Sequence, residues 1–308
     1  YSSLSDFTSG NPADRYDRSY SLLPGDITGD GAKAAAEFKM LQLGLYGQDE
    51  IQFNDKLKVT VGIRFDMPMF LDKPKEDVHF NTVTAPMIEA AGYDLEGAKA
   101  GEMPKAQIQI SPRIGFNWDA LGDQTLQIRG GVGIFTSRLP LVWPGGSFTN
   151  SGVAIGGFRH YGNETYPINF RPDWQDQYTA ADFGGSDAAY GGQIDLFAED
   201  FKFPQMFRAN LAVDKKLAWD MVATIEGIYS KTINNVLYYN VNFEKSTQNL
   251  TGGPDNRPLF TGDEIDPDYT RVILGTNTNE GYSYNITAQL QKPFDNGLTA
   301  SLAYTYGR

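Results

Sequence analysis

From Asp26 to Glu37 the chain reads DITGDGAKAAAE, which sets oxygen donors at positions 1, 3, 5 and 12 (Asp26, Thr28, Asp30 and Glu37) with Gly31 at position 6. This is the spacing of an EF-hand-type calcium loop, where the glycine allows a sharp turn and the distal glutamate closes the coordination sphere. Thr28 stands where Asp or Asn is usual, and Ala34 offers no ligand at position 9. The same residues therefore also read as an acidic, glycine-rich loop leading into a strand. Calcium is the one cofactor the sequence raises; no other is expected. A second cluster lies between 137 and 204, a segment with thirteen aromatic residues after Pro140. Trp143, Tyr161, Trp174 and Tyr178 are among them, with Arg159 and His160 set next to Tyr161. Aromatic side chains offer large contact area at small entropic cost, so they can stack on sugars or grip peptide side chains. They can equally form a miniature core of their own. The two histidines, His79 and His160, fall in predicted surface loops, and no G-x-S-x-G signature accompanies either. Catalysis is not expected.

What must hold these residues in place is a set of strands. Period-2 alternation, which sends successive side chains to opposite faces, recurs eight times. In the clearest case Leu57, Val59, Val61, Ile63 and Phe65 alternate with Lys58, Thr60, Gly62, Arg64 and Asp66. Ile108 to Trp118, Leu126 to Ile134, Tyr282 to Gln291 and Leu298 to Tyr306 follow the same rule, and Leu41 to Phe53, Gln205 to Val213 and Met221 to Tyr229 follow it more loosely. Asp49 falls in the apolar phase of its strand, which predicts a bulge there or a place near the bilayer edge.

The connections alternate between short and long. Asn54 to Lys56, Asp119 to Thr125, Asp214 to Asp220 and Lys292 to Gly297 are tight turns rich in Asn, Asp and Gly. The intervening stretches, about 67–106, 137–204 and 230–281, far exceed the usual ~4 to 6 residues. One trimmed rim and one elaborated rim is the layout of an outer-membrane barrel, with short periplasmic turns and long extracellular loops. Aromatic residues flank the apolar band at both levels: Phe53, Trp118, Trp219 and Phe294 by the short turns, and Phe65, Phe207, Tyr229, Tyr282, Tyr304 and Tyr306 toward the long loops. A soluble sandwich would alternate as well, but lipid is what requires an outward apolar band. The 308 residues include no cysteine, so thiol chemistry is excluded, and a net charge of −12 argues against nucleic acid as a partner. No run of about 20 apolar residues predicts a helical membrane span.

From Leu45 the run LYGQDEIQFNDKLKVTVGIRFD resembles the first of several hairpins common in TonB-dependent receptor barrels, and SPRIGFNWDALGDQTLQIRGGVGIF from Ser111 resembles the next. FPQMFRANLAVDKKL from Phe203, followed by IEGIYSKTINNV from Ile225, is similar to a later one. With Phe7 to Tyr20 these look most like the Oar-like branch, which often carries a carboxypeptidase-regulatory-like domain. The resemblance implies an all-β, antiparallel transmembrane β-barrel in the bacterial outer membrane, of which residues 1–308 form about eight strands (four hairpins) of a wall of about 22. A plug domain is not found in the sequence, and the expectation is an internal piece of a larger receptor. It further implies a transporter coupled to TonB through the missing plug region, with outer-membrane lipid around it and loops that bind a peptide, glycan or chelate. Arg64, Arg113, Arg129 and Arg208, with Asp66 and Glu226, would then face the plug. The alternative is a structural, adhesive or secretion-associated barrel subunit that docks a surface lipoprotein or another outer-membrane partner.

Overall fold

The computed structural model describes residues 1–25, 35–185, 191–260 and 262–308. In chain order the strands are β1 (Arg15–Ser21), β2 (Met40–Asn54), β3 (Leu57–Phe70), β4 (Gln109–Asp119), β5 (Leu126–Thr136), β6 (Ile155–Tyr161), β7 (Gly192–Phe197), β8 (Gln205–Lys216), β9 (Val222–Asn240), β10 (Gln248–Asn249), β11 (Pro258–Leu259), β12 (Tyr269–Thr278), β13 (Tyr282–Pro293) and β14 (Thr299–Gly307). Three short helices, α1 (Leu4–Thr8), α2 (Ala85–Ala90) and α3 (Val142–Thr149), lie outside the wall. The wall runs β14-β13-β9-β8-β5-β4-β3-β2, all antiparallel, with β2 and β14 at its edges. Its strands are the eight alternating segments, each paired with its neighbour in the sequence order of the hairpins.

Register keeps the apolar phase of every strand on one face. Phe65 stands opposite Ile110, Val61 opposite Ile114, Ile114 opposite Val132, and Val213 opposite Ile225. Leu290 opposite Leu302 continues the band to β14. On this face Leu45, Ile63, Ile114, Leu211, Ile225, Ile286 and Leu302 are exposed, as a lipid-facing surface requires. The girdle residues by the short turns, Phe53, Trp118, Trp219 and Phe294, are exposed too. The opposite face carries the charge. Arg129 of β5 reaches Asp214 of β8 at 3.0 Å and Glu226 of β9 at 3.7 Å, and the Thr224 hydroxyl donates to Asp214 at 2.6 Å. Arg64 grips Asp66 through two hydrogen bonds of 2.7 Å.

Of the two alternatives for Asp49, a bulge or a place near the bilayer edge, the bulge is absent. β2 and β3 pair without a break from Met40 to Gln52, and the one irregularity lies between Gln52 and Asn54, beside the turn. Asp49 instead accepts a hydrogen bond from the Glu50 N–H at 2.9 Å.

The long connections are more regular than loop composition implies. β9 does not end near Tyr229 but continues to Asn240, and β12 returns alongside it, so much of 230–281 is strand. The segment after β3 holds a one-turn π-helix, Phe80–Thr84, that runs into α2. At the rim, segment 197–203 packs Phe197, Phe201 and Phe203 against Met40, Phe70 and Val236, and the Gln109 side-chain amide donates to the Phe203 carbonyl at 2.8 Å. The buried Gln109 amide N–H at the end of the wall is thereby satisfied from the loop.

The assignment of faces is testable. Leu211→Arg on the apolar face of β8 lowers stability by about 2–4 kcal/mol at mid-bilayer depth, whereas Asn210→Arg on the charged face costs far less. Urea unfolding of the full-length protein in lipid vesicles measures both, and equal losses would contradict the assignment.

Candidate functional site

The three long connections fold together into a cap built on the extension of β9. β12 pairs antiparallel with it, Ile273 opposite Asn240 and Thr278 opposite Asn235. β7 then adds in parallel, Ile194 beside Val272 and Phe197 beside Gly275. One face of this small sheet is the cap's core: Ile194, Leu196, Val272 and Leu274 are buried with Phe80, Ile88 and Leu95 of the segment after β3. Tyr269 lies in that core, and its hydroxyl donates to the buried Asp77 carboxylate at 2.8 Å. Burial, reinforced by the charge of Asp77, pushes the Tyr269 phenol well above the ordinary tyrosine range. The fully buried Asn242 ties the end of the core together, donating to the carbonyls of Asp266 at 2.8 Å and Tyr269 at 2.7 Å and accepting from the Asp266 N–H at 3.0 Å.

The other face holds a groove of about 660 Å³ between α3, the Phe38 segment and the β7–β12–β9 sheet. Trp143 of α3 meets Tyr238 of β9 edge to face, ring centroids 6.0 Å apart, and Phe38 stacks on Phe148 at 4.7 Å. Asp195 of β7 is the one charged residue lining the groove among the described residues. Its carboxylate accepts from the Asn150 amide at 2.8 Å and the Gln193 amide at 2.7 Å. Burial, with the negative charge of Asp195 adding, pushes the Tyr238 phenol up to about 12. Asn150 and Gln193 also line an adjoining pocket of about 250 Å³ that contains Arg18, Arg159, Arg271 and Asp17.

The first part of the chain joins the cap through β1, which pairs with β6, Asp17 opposite Arg159. Beneath them Ala13, Ile168 and Tyr178 form a small buried cluster with Tyr16, Phe158 and Phe183 packed against it. Arg171 lies over the Tyr178 ring at 3.7 Å, His160 stacks on Phe183 at 3.9 Å, and the Tyr178 hydroxyl accepts from the Asn169 N–H at 3.0 Å.

The aromatic candidates therefore separate. Tyr178 and His160 belong to this packing cluster. Trp143 lines the groove, and Arg159 lines the adjoining pocket while bonded to Asp17 at 2.5 Å. Tyr161 and Trp174 are exposed and line neither. Sequence reasoning missed Asn150, Gln193, Asp195, Tyr238 and Arg271. A signal existed for two of them, since Gln193 and Asp195, with Phe197, alternate with Ile194 and Leu196, but the segment lay inside a stretch read as loop.

Of the calcium-loop residues, Asp26, Thr28 and Asp30 lie outside the described residues, and Glu37 is exposed. A different set of donors does converge. His79, Asp266 and Asp268 bring ligand atoms within 4.8 Å of one another. His79 Nε2 is 3.5 Å from Asp268, and the Thr84 hydroxyl donates to the buried Asp266 at 2.5 Å. One imidazole and two carboxylates are donors suited to a divalent cation. His79 is accordingly half-buried beside these acids and not a free surface residue.

With the wall and cap in hand, the family described as "Outer membrane beta barrel domain" matches residues 2–308, and the chain belongs to it. Its place is the bacterial outer membrane. No curated protein sequence matches the chain. Among solved structures it is similar to a variant of the ferric enterobactin receptor PfeA from Pseudomonas aeruginosa, at 11% identity and a TM-score of 0.45, over 87% of this chain and 26% of that one. It is similar also to the outer membrane transporter YddB from Escherichia coli, at 13% and 0.43, over 87% and 25%. A third is the FrpB iron transporter from Neisseria meningitidis, at 11% and 0.44, over 95% and 32%. The chain thus spans about a quarter to a third of the length of these proteins.

Two measurements test the cap. Tyr178→Ala opens the small cluster and exposes the chain at Arg159, whose neighbour His160 stacks on Phe183, to trypsin, while Trp174→Ala leaves the digestion pattern unchanged; equal patterns would show that Tyr178 holds nothing together. The second concerns Asp17, held below its ordinary value of 3.8 chiefly by the hydrogen bond from Arg159, with the charges of Arg159 and Arg15 adding. A carboxyl depressed in the folded state stabilises it above the ordinary value, and that contribution is lost as pH falls through the lowered one. Amide protection along β1 and β6 is expected to hold from neutral pH to about 4 and to fall below it. In Asp17→Asn that pH dependence disappears.

Proposed function

We propose that the chain forms part of the wall and the outer cap of a TonB-dependent transporter, whose cap captures a ligand for passage through the barrel lumen. The observation that carries this reading is the unequal pairing of charge on the wall's charged face. Arg64 and Arg129 are matched by acids, whereas Arg113 and Arg208 have no carboxylate partner among the described residues. Both line one recess of about 220 Å³ with Thr60 and Asn210. Cations left unmatched on a surface that becomes enclosed call for acids from elsewhere, and a plug filling the lumen supplies such a surface. The hairpin motifs from Leu45, Ser111 and Phe203, which resemble those of TonB-dependent receptors, point the same way, and the cap offers a groove and a pocket where such receptors take up ligand. The iron compounds named for PfeA and FrpB do not transfer at their level of similarity. A second reading, a barrel that docks a surface lipoprotein, draws on the exposed Leu141 and Val142 at the rim of α3.

The test needs no ligand. The purified full-length protein is expected to bind the periplasmic domain of its host's TonB in interferometry. Arg113→Glu combined with Arg208→Glu is expected to loosen the plug, read as faster proteolysis inside the barrel with the wall still folded. Absence of TonB binding would exclude the transport reading and favour the docking one.

A further inference from the structure

Resting on the reading of the cap as the ligand-capturing side, we infer that the groove and the adjoining pocket form one trough for a short zwitterionic peptide with an apolar side chain. Its ammonium group is held at Asp195 and its carboxylate at Arg271.

The trough is continuous because Asn150 and Gln193 line both parts of it. The strand register sets its polarity. In the parallel pair β7–β12, Gln193 stands beside Arg271 and Asp195 beside Ile273, on the sheet face turned away from the cap's core. Asp195 is therefore one two-residue step beyond the level of Arg271, about 7 Å along the strand.

Each end is chemically unfinished. At one, the Asp195 oxygens each accept a single amide hydrogen bond, from Asn150 and Gln193. A carboxylate has about four acceptor positions, so roughly half remain. No Lys, Arg or His forms an ion pair with Asp195 among the described residues, although it is the groove's only charge. Gly146 keeps the carboxylate accessible, since a Cβ there would lie 2.6 Å from Asp195 Oδ2. The rings of Trp143 and Tyr238 beside it provide apolar contact and π-faces, which favour a cation and reject an anion.

At the other end three arginines meet one aspartate. Asp17 is already engaged by Arg15 at 2.6 Å and Arg159 at 2.5 Å, and Arg18 donates to the Gln177 carbonyl at 3.2 Å. Arg271 is exposed and makes no ion pair among the described residues. A planar guanidinium in that state suits a carboxylate, which it can hold through two parallel hydrogen bonds.

Length then selects the ligand. An extended peptide advances about 3.3–3.6 Å per residue, so two or three residues bridge the charges once both side chains reach toward them. A polyanionic chelate would meet Asp195 unfavourably, and a neutral glycan would leave both charges unmatched.

The probe is phenylalanyl-alanyl-alanine with free ends, titrated by calorimetry into the full-length protein in nanodiscs. Saturable binding is expected, weakened about tenfold or more by N-acetylation and likewise by C-amidation. Asp195→Asn should weaken the free peptide by a similar factor and leave the N-acetyl form unaffected; Arg271→Gln should do the same with respect to the C-amide. Retained binding of the N-acetyl form by Asp195→Asn, and of the C-amide by Arg271→Gln, shows that the cap still folds in each variant. No binding by the folded protein, or binding indifferent to both end groups and both variants, would overturn the inference. A protein that binds the peptide but not TonB would overturn the transport reading and leave the trough standing; one that binds TonB and ignores the peptide would do the reverse.

Discussion

Antiparallel register is the constraint on which the rest of this protein depends. In the bilayer no water replaces a missing backbone partner, so every strand of the wall must pair along its length. The side-chain period of two adds a second demand: a slip of one residue would turn Lys58, Arg64 and Arg129 into lipid and Val59, Ile63 and Ile128 into the lumen. The alignments of Phe65 with Ile110 and of Ile114 with Val132 are where both demands are met together. Because the phase is held from β2 to β14, the charged face is continuous, and the Arg129, Asp214 and Glu226 group can assemble from three strands.

The cap inherits its position from the same strands. β9 carries the wall's hydrogen bonding past the point where its neighbour β13 begins, at Lys231 opposite Tyr282, and onward to Asn240. That overrun supplies a paired edge onto which β12 and then β7 can add. Once the small sheet exists, its two faces receive different partners. Phe80, Ile88 and Leu95 cover one and make it a dry core, while α3 stands off from the other and leaves the groove. Two pairs of buried polar groups inside the cap answer one another, Tyr269 with Asp77 and Thr84 with Asp266, which limits the arrangements those segments can adopt.

Charge distribution also separates the cap from the wall. In the wall, Lys58 pairs with Glu50 and Arg129 with Asp214 and Glu226 across neighbouring strands, so those residues are occupied with structure. In the cap, Asp195 and Arg271 sit on one sheet face without ion partners among the described residues, and the rings of Trp143 and Tyr238 stand beside the acid. Tyr178 shows the contrary case, an aromatic residue of the same loop consumed by packing under Arg171. Composition alone cannot divide the two groups, since Trp143 and Tyr178 look equally suited to ligand in a list of residues.

By itself the sequence determined the eight wall strands, their order, their lipid-facing phase and the short turns between them, because alternation and turn chemistry are local and each strand pairs with the next. It left Asp49 between a bulge and a place near the bilayer edge; the bulge is absent, since an acid can be satisfied by a neighbouring N–H without disturbing the ladder. Only the tertiary structure decided that β7 lies parallel to β12, that β9 runs on to Asn240, and that Asp195, Tyr238 and Arg271 come to one trough. These depend on contacts between segments far apart in the chain. No local period announces which distant strand will supply the missing edge.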